Sequence, residues 1–364
     1  MTWEDGILGK IPNAEWLNVP FDVRRQTDPA DMLFGDEKTD NLTASWQTIN
    51  AMYQIPEMAQ FHAFDTIAGT TYRVPVDNHH IEKGLIKVKI NQSERLQALK
   101  NSGVRPDDLF RYVIDDAMRL SEQVTTRTKV AKNEVLATGK FTIKENNLNL
   151  TVDYGVSADQ TAYEIDFAKG ADVPAQIQEI IDDASDMGIT LTGIYTSKRN
   201  LSKMRSHESV QKSINGVNSV GAMVSNTQLT AYLADEFGIT QIITNDNVYN
   251  ADNNKIGTDG RPIITTKRYY PADKMTFFST TSNGRIGTGL WGDPPEALNP
   301  LMSTTTTGTS PYIYITQWTE NDPAVLWTKA SGLFVPVIYN PSSLFIATTK
   351  NSDNSAKTVN TEKS

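Results

Sequence analysis

The chain has 364 residues and a net charge of −9, so phosphate repels it and we expect at most weak, non-specific contact with nucleic acid. Hydrophobic residues make up 38% of the chain and charged residues 21%, which permits a buried core and excludes global disorder. The absence of cysteine excludes disulfides, thiolate nucleophiles and cysteine-based zinc sites.

The first 60 residues predict an irregular arm. They lack the basic and apolar regions of a signal peptide, and no later run reaches the roughly 18 apolar residues of a membrane span, so we expect neither export nor membrane contact. Prolines interrupt the arm at Pro12, Pro20, Pro29 and Pro56. Its large apolar side chains are Trp3, Trp16, Leu17, Phe21, Leu33, Phe34 and Trp46. They need a surface to cover, and the pattern leaves open whether it belongs to their own domain or to a neighbouring subunit.

Residues 67–92 predict a long β-hairpin. Apolar residues alternate with polar ones or proline in both arms, at Tyr72, Val74 and Val76 and again at Ile86, Val88 and Ile90. The polar stretch Asp77–Gly84 between them is typical of a turn. Because a two-stranded hairpin is marginal alone in water, we expect it to pack on another surface, such as a second copy.

Residues 106–136 predict the longest helix. Pro106 suits the first turn, Asp107 and Asp108 complement the helix dipole, and Gly139 follows as a stop. Apolar residues recur at steps of three and four. A helix of this length spans roughly 45 Å and would cross most of a domain.

The rest of the chain predicts a hairpin, then an α/β region, then a return to strands. The hairpin covers residues 140–155. The α/β region covers 173–270, with helices at 174–188, 197–215 and 226–238, strands at 189–195 and 239–244, and an exposed loop at 245–260. Later strands are expected at 275–278, 312–315, 325–329, 333–338 and 344–348, before a flexible polar tail at 351–364.

Several motifs resemble chemical sites but fail on context. Gly287–Gly292 matches G-x-G-x-x-G, yet prolines follow where a dinucleotide site needs a helix. Thr138–Lys140 lacks the first glycine and the final hydroxyl of a phosphate-binding loop. A calcium loop starting at Asp252 would place Ile256 and Ile263 at ligand positions.

The titratable residues suggest no catalytic or metal site either. His79 and His80 would point to opposite faces of a strand, and His62 and His207 are isolated in sequence. We therefore expect no catalytic residue, no metal, no cofactor and no enzymatic activity. A cytoplasmic enzyme that uses the polar residues of 245–292 remains the opposing hypothesis, and it would need Asp252, Asp259 and Asp293.

The order of these elements, with four short motifs, resembles a known family. The motifs are Leu136–Thr142, Val152–Gly155, Trp318–Pro323 and Asn340-Pro341. Arm, hairpin, long helix, second hairpin, α/β insert and closing strands resemble the lambda-type major capsid proteins of tailed phages, the major capsid protein E family. That family has the Hong Kong 97 phage capsid fold.

The resemblance implies an α+β chain with named parts. They are an N-terminal arm (1–60), an extended E-loop hairpin (61–92), a peripheral domain (93–172 and 310–350, spine helix 106–136), an axial domain (173–309) and the tail. Lys83, Lys87 and Lys89 lie where some relatives with this fold cross-link neighbours, but lambda-type members use decoration proteins, and we predict no cross-link.

The resemblance also implies the function. The chain would assemble with itself into pentamers and hexamers that form the icosahedral shell around double-stranded DNA, in the host bacterial cytoplasm and then in the virion. A separate scaffold protein, a portal protein and a decoration protein are the implied partners. The expected subunit interface uses Trp3, Trp16, Phe21, Phe34, Tyr72, Val74, Val76, Ile86, Val88 and Ile90. The alternative is another phage structural protein, such as a tail tube or baseplate component.

Overall fold

The computed structural model describes most of the chain. The described residues are 27–48, 53, 55–62, 64, 67, 70–71, 73–92, 106–145, 147–216, 221–256, 262–281, 283–297, 304–307, 310–321 and 324–350. Side chains are not described at 92, 106–115, 252–256, 262–264, 304–307, 310–311, 319, 321 and 324.

Helices and strands alternate irregularly along the chain. The helices are Ala30–Leu33, Pro106–Thr138, Ala158–Thr161, Val173–Asp186, Lys198–Ser206, Glu208–Asn215 and Asn226–Phe237, with a 3-10 turn at Pro341–Ser343. The strands are β1 (Phe34–Lys38), β2 (Thr43–Thr48), β3 (Asp77–Glu82), β4 (Gly84–Gln92), β5 (Lys140–Glu145), β6 (Leu148–Asp153), β7 (Tyr163–Asp166), β8 (Gly193–Thr196), β9 (Gln241–Thr244), β10 (Val248–Ile256), β11 (Pro262–Arg268), β12 (Lys274–Phe278), β13 (Gly287–Gly292), β14 (Thr304–Thr307), β15 (Ser310–Asn321), β16 (Ala324–Ile338) and β17 (Leu344–Lys350).

A six-stranded sheet and the long helix form the first core. The strand order is β1-β13-β16-β15-β14, and β4 pairs with β16 as well. The helix has 33 residues, as its pattern predicted, and ends at Gly139 with a positive φ of 68°. Its buried positions recur at helical spacing: Ala117, Leu120, Val124, Thr128, Ala131 and Val135. We call it the spine helix; it packs against β16 and β4.

A five-stranded sheet forms the second core, as the α/β pattern predicted. Its order is β7-β17-β12-β8-β9, and four helices surround it. The last of them is the helix predicted at 226–238. It begins after its N-cap Ser225, whose hydroxyl accepts from Gln228 N in a capping box. Gly238 ends this helix in the left-handed conformation.

The two sheets exchange strands along the chain. The resemblance assigns residues 287–292 to the axial domain and residues 344–350 to the peripheral domain, and both assignments stay predictions. In the structure β13 lies in the first sheet beside β16, and β17 lies in the second sheet between β7 and β12. Each core therefore draws on both the middle and the end of the chain.

The predicted hairpin at 67–92 is wrong in its pairing. The polar stretch 77–82 is not a turn, because it forms β3 and pairs antiparallel with β2. The second predicted arm is a strand, β4, but its partner is β16. The stretch 245–260 also differs from the predicted loop, since β10 within it pairs with β11.

The glycines of the G-x-G-x-x-G motif allow close packing, and they lie in a strand. A Cβ on Gly287 would stand 2.2 Å from Val337 O, and one on Gly289 would stand 2.6 Å from Asp36 Oδ1. A Cβ on Gly292 would stand 2.9 Å from Lys83 Nζ. Strand β13 therefore has room for β1 on one edge and for buried lysine stems.

We expect Gly287→Ala to destabilise the fold by about 1–3 kcal/mol, the range for overpacking a closed core. The obstacle is a backbone carbonyl of β16, which cannot rotate away. Gly332→Ala is the matched control, because its Cβ would meet nothing closer than 3.1 Å. Denaturant midpoints for both variants check the prediction, and equal losses would contradict it.

In the part of the chain that the structure describes, no helix has the length and hydropathy to cross a membrane. Within those same residues, no group of three or more histidine, aspartate or glutamate side chains is arranged to hold a metal ion.

Candidate subunit interface

A two-stranded ribbon, β2 with β3, packs against the first core through Ala44, Trp46 and Ile81. At its base, Thr39 N donates to Trp291 O at 2.9 Å and Lys83 N donates to Leu42 O at 3.1 Å. Along its length, Trp46 stacks on His79 with ring centroids 5.4 Å apart. Both strands are therefore held to their own molecule.

The segment between β2 and β3 behaves differently. Four of its large apolar side chains are almost fully exposed: Met58 (90%), Phe61 (106%), Phe64 (100%) and Ile67 (95%). Contiguous apolar surface of this kind marks an interaction site in a soluble protein. We call these four residues the apolar stripe.

The apolar stripe was missed by the sequence reasoning. Its members recur at every third position, which is the period of neither a strand nor an α-helix. A three-residue period is that of an extended polyproline-type chain, which places such residues on one side. That spacing was the available signal.

Apart from Phe34, the predicted interface residues fall into three groups. Trp3, Trp16, Phe21 and Tyr72 lie outside the described residues. Val74 and Val76, at 45% and 41% exposure, adjoin the exposed segment, and their interface role stays a prediction. Ile86, Val88 and Ile90 are half-buried on β4 and pack against the first core of their own molecule.

Phe34 is a correction. It is 0% exposed, because β1 pairs in parallel with β13 and places this ring in the first core. For residues 27–48 the structure therefore favours the alternative in which the predicted arm covers its own domain.

Residues of the spine helix anchor the chain where it enters the fold. Lys132 is 1% exposed, and its amine lies 2.7 Å from Asp31 Oδ1 and 2.9 Å from Asp36 Oδ1. The next residue, Asn133, donates to Asp28 at 3.2 Å. Ions buried this deeply are tolerated only when paired and hydrogen-bonded, so the three aspartates fix residues 28–36 on the helix.

Asp28 is a buried carboxylate held by neutral donors. Its Oδ1 accepts from Ala30 N at 2.9 Å, from Asn133 Nδ2 at 3.2 Å and from Asn245 Nδ2 at 3.1 Å. Asn133 Oδ1 in turn accepts from the Tyr195 hydroxyl at 2.8 Å. This network joins the entering chain, the spine helix and the second sheet. Burial raises the pKa of the Asp28 carboxyl above its ordinary value of 3.8, although these hydrogen bonds oppose the shift.

We expect Asp28 to lower the free energy of unfolding as the pH rises. Its folded pKa exceeds the unfolded value, so the folded state binds more protons in the window that begins near 3.8. Asp28→Asn should remove this slope and gain stability relative to the wild type as the pH rises above about 3.8 through the folded pKa. Denaturant titrations across that range measure it.

Asp153 supplies the opposite control. Burial raises the pKa of its carboxyl, but the hydrogen bonds from Lys140 and Gly155 N outweigh burial and lower it. Its contribution is therefore present above the unfolded pKa and lost as the pH falls. Equal slopes for Asp28→Asn and Asp153→Asn would contradict both assignments.

One face of the first sheet carries a second exposed surface with aromatic character. Trp318 and Trp327 stack with centroids 6.1 Å apart, and Lys89 Nζ lies 4.1 Å from the Trp327 centroid. Trp318 is 36% exposed and Leu85 on the neighbouring β4 is 40% exposed. Aromatic rings with exposed faces are common at the centres of protein interfaces.

The sequence was then compared with known families. The sequence model of the family described as phage major capsid protein E matches residues 85–349. The match covers the spine helix and, to within one residue at either end, the strands of both sheets except β1. It begins after the apolar stripe. No curated protein matches the chain.

Several solved structures are similar to this chain over most of its length. A putative capsid protein of a prophage of Escherichia coli CFT073 is 15% identical, with a TM-score of 0.52, over 92% of this chain and 97% of that one. A phage-related protein from Bordetella bronchiseptica is 8% identical, with a TM-score of 0.49, over 92% and 95%. The mature capsid of bacteriophage PhiM1 is 10% identical, with a TM-score of 0.45, over 89% and 87%. The first of these confirms the expected α+β capsid fold.

Proposed function

We infer that copies of this chain associate as pentamers and hexamers. The chain belongs to the phage major capsid protein E family and is a major capsid protein of a tailed-phage head. The family implies a structural role in the shell of the virion, and we propose that the chain has no enzymatic activity. Assembly in the host cytoplasm, a separate scaffold, a portal and a decoration protein complete the proposal.

The observation that carries this proposal is the apolar stripe. Fully burying a Phe, Met or Ile side chain contributes about 1.5–3 kcal/mol, so the four residues together offer about 6–12 kcal/mol before the cost of association. An isolated molecule leaves this free energy unused. A second copy that covers the stripe recovers it, and a closed lattice repeats the contact for every subunit.

The aromatic face of the first sheet is the proposed receptor for the stripe. It offers Trp318 and Leu85 as exposed apolar surface on a rigid sheet. Lys87 and Lys89 on β4 are exposed beside it and give it a polar rim. We propose that the stripe of one copy lies across this face of the next.

Methionine oxidation tests the proposal on the intact chain. Limited peroxide treatment converts exposed methionine to its sulfoxide, which peptide mass spectrometry quantifies. Met58 should be oxidised in the free subunit and protected in assembled particles. Met275, at 0% exposure, should stay unoxidised in both and reports that the fold is intact. Equal oxidation of Met58 in subunits and particles would overturn the proposed contact.

Electron microscopy of the same preparations tests the assembly itself. The chain, expressed with the neighbouring structural genes of its phage, should give closed shells with fivefold and sixfold clusters. Tubes or stacked rings would favour the alternative of a tail tube or baseplate component. Monomers alone, by sedimentation and imaging, would overturn both.

A further inference from the structure

The amine of Lys83 is held by four neutral oxygen atoms. Nζ lies 2.7 Å from Thr39 O, 2.7 Å from Thr39 Oγ1, 2.6 Å from Asn41 O and 3.0 Å from Trp291 O. The residue is 3% exposed, in contrast to the neighbouring Lys87, which points to solvent. None of the four oxygens belongs to a carboxylate, so this amine is bound as a cation is bound by carbonyl groups.

The surrounding chain leaves space for this amine. A Cβ on Gly292 would stand 2.9 Å from Lys83 Nζ and 3.1 Å from its Cδ. The final glycine of the G-x-G-x-x-G motif thus makes room for a lysine stem. Three of the four distances, 2.7, 2.7 and 3.0 Å, exceed the roughly 2.0–2.6 Å of magnesium and calcium sites, and the set suits an ammonium group or a potassium-sized ion.

The four oxygens come from the base of the ribbon and from the first sheet. Thr39 and Asn41 form the turn that leads into β2, and Trp291 lies on β13 in the centre of the sheet. Lys83 itself joins β3 to β4. Its side chain therefore ties both ends of the ribbon base to the sheet, and the ribbon carries the apolar stripe at its far end.

We propose that Lys83 is a positioning residue for assembly, whose amine fills a monovalent-cation site and so fixes the direction in which the ribbon presents the apolar stripe to a second copy. This inference rests on the proposed function. Burial lowers the pKa of the Lys83 amine, and the negative charges of Asp293 and Asp40 oppose that shift. Neither carboxylate is among the four oxygens that hold the amine.

Chemical rescue distinguishes positioning from simple stabilisation. Lys83→Ala leaves the four oxygens empty, and a small cation from solution can then replace the amine. We expect the yield of closed shells from Lys83→Ala to fall by about tenfold or more, a factor that corresponds to about 1.4 kcal/mol. Methylammonium or potassium should restore shells. Tetramethylammonium at the same ionic strength should not, because it is too large for the space between the four oxygens.

Two further variants complete the experiment. Lys87→Ala removes a neighbouring exposed amine and should assemble as the wild type does. Gly292→Ala displaces the Lys83 amine without removing it, and it serves if Lys83→Ala does not fold. It should also lose shells, with no rescue by any cation.

The outcomes separate the two proposals. Two results would overturn the positioning role. The first is a wild-type yield and shape of shells for Lys83→Ala. The second is a loss of shells for Lys83→Ala that no cation restores, together with normal assembly of Gly292→Ala. Failure of the wild-type chain itself to assemble would count against the proposed function and not against Lys83 alone.

Discussion

Lys132→Met is expected to reduce the free energy of unfolding by about 3 kcal/mol. Removing one partner of a buried ion pair typically costs about 3–5 kcal/mol, because the remaining charge is left unpaired. The lower end applies here, since the Asp31 and Asp36 side chains are 33% and 37% exposed and keep part of their hydration. Against a total stability of about 5–15 kcal/mol, this is among the largest effects a single substitution can have.

The lysine remains charged at neutral pH, which is why its removal matters. Burial alone would lower the pKa of Lys132, but the two carboxylates outweigh burial and hold that pKa above 10.5. Its folded pKa is raised, so its contribution is complete at neutral pH and is lost only as the pH rises through the folded value.

The loss is measured as a lower denaturant midpoint for Lys132→Met than for the wild type, with the dependence of the free energy of unfolding on denaturant concentration unchanged. Lys140→Met is the matched control, because the Lys140–Asp153 pair is about half exposed on both sides and should be worth less than about 1 kcal/mol. A triple variant, Lys132→Met with Asp31→Asn and Asp36→Asn, should recover part of the loss by removing the unpaired charges. Equal losses for Lys132→Met and Lys140→Met would show that the buried pair is not special.

The elements defined by local pattern could be predicted from the sequence. The spine helix follows from its apolar spacing and from Pro106 and Gly139, signals that lie within the helix or beside it. The hairpin of β5 and β6 is likewise local, since its strands are separated only by a short turn. In both elements the residues that determine the structure are neighbours in sequence.

Strand pairing between distant segments could not be predicted in the same way. The alternation at Ile86, Val88 and Ile90 identifies a strand correctly, but its partner β16 begins at Ala324. A two-residue period indicates which face of a strand is apolar, but it does not indicate which other strand pairs with it. The polar β3 was interpreted as a turn because its stabilising contact, the stack of His79 on Trp46, joins two residues far apart in sequence.

The buried lysines explain why the candidate site was only partly predicted. Lys83 and Lys132 are polar residues in polar contexts, and composition assigns such residues to the surface. Their burial depends on glycines of β13 and on acceptors contributed by residues 31–41. The same contacts hold residues 27–48 on their own molecule, and among the described residues of 27–92 the exposed apolar stripe lies after β2.

The double variant Phe61→Ala with Phe64→Ala is expected to abolish assembly and leave the folded subunit intact. Both rings are fully exposed, so their removal should change the free energy of unfolding by less than about 0.5 kcal/mol. If a second copy buries them, each ring contributes about 2 kcal/mol to the contact. The concentration at which shells form should then rise on the order of a hundred- to a thousandfold, since every 1.4 kcal/mol is a factor of ten.

Sedimentation velocity over a concentration series, with imaging of the products, measures this shift, and denaturant unfolding confirms that the subunits fold. Gln60→Ala changes the exposed residue immediately before Phe61 and should assemble normally. Loss of assembly in both variants would point to a general effect on the segment. Normal assembly of the double variant would show that the apolar stripe is not part of the interface. The subunits would then have to contact each other through the aromatic face or through residues outside 53–76.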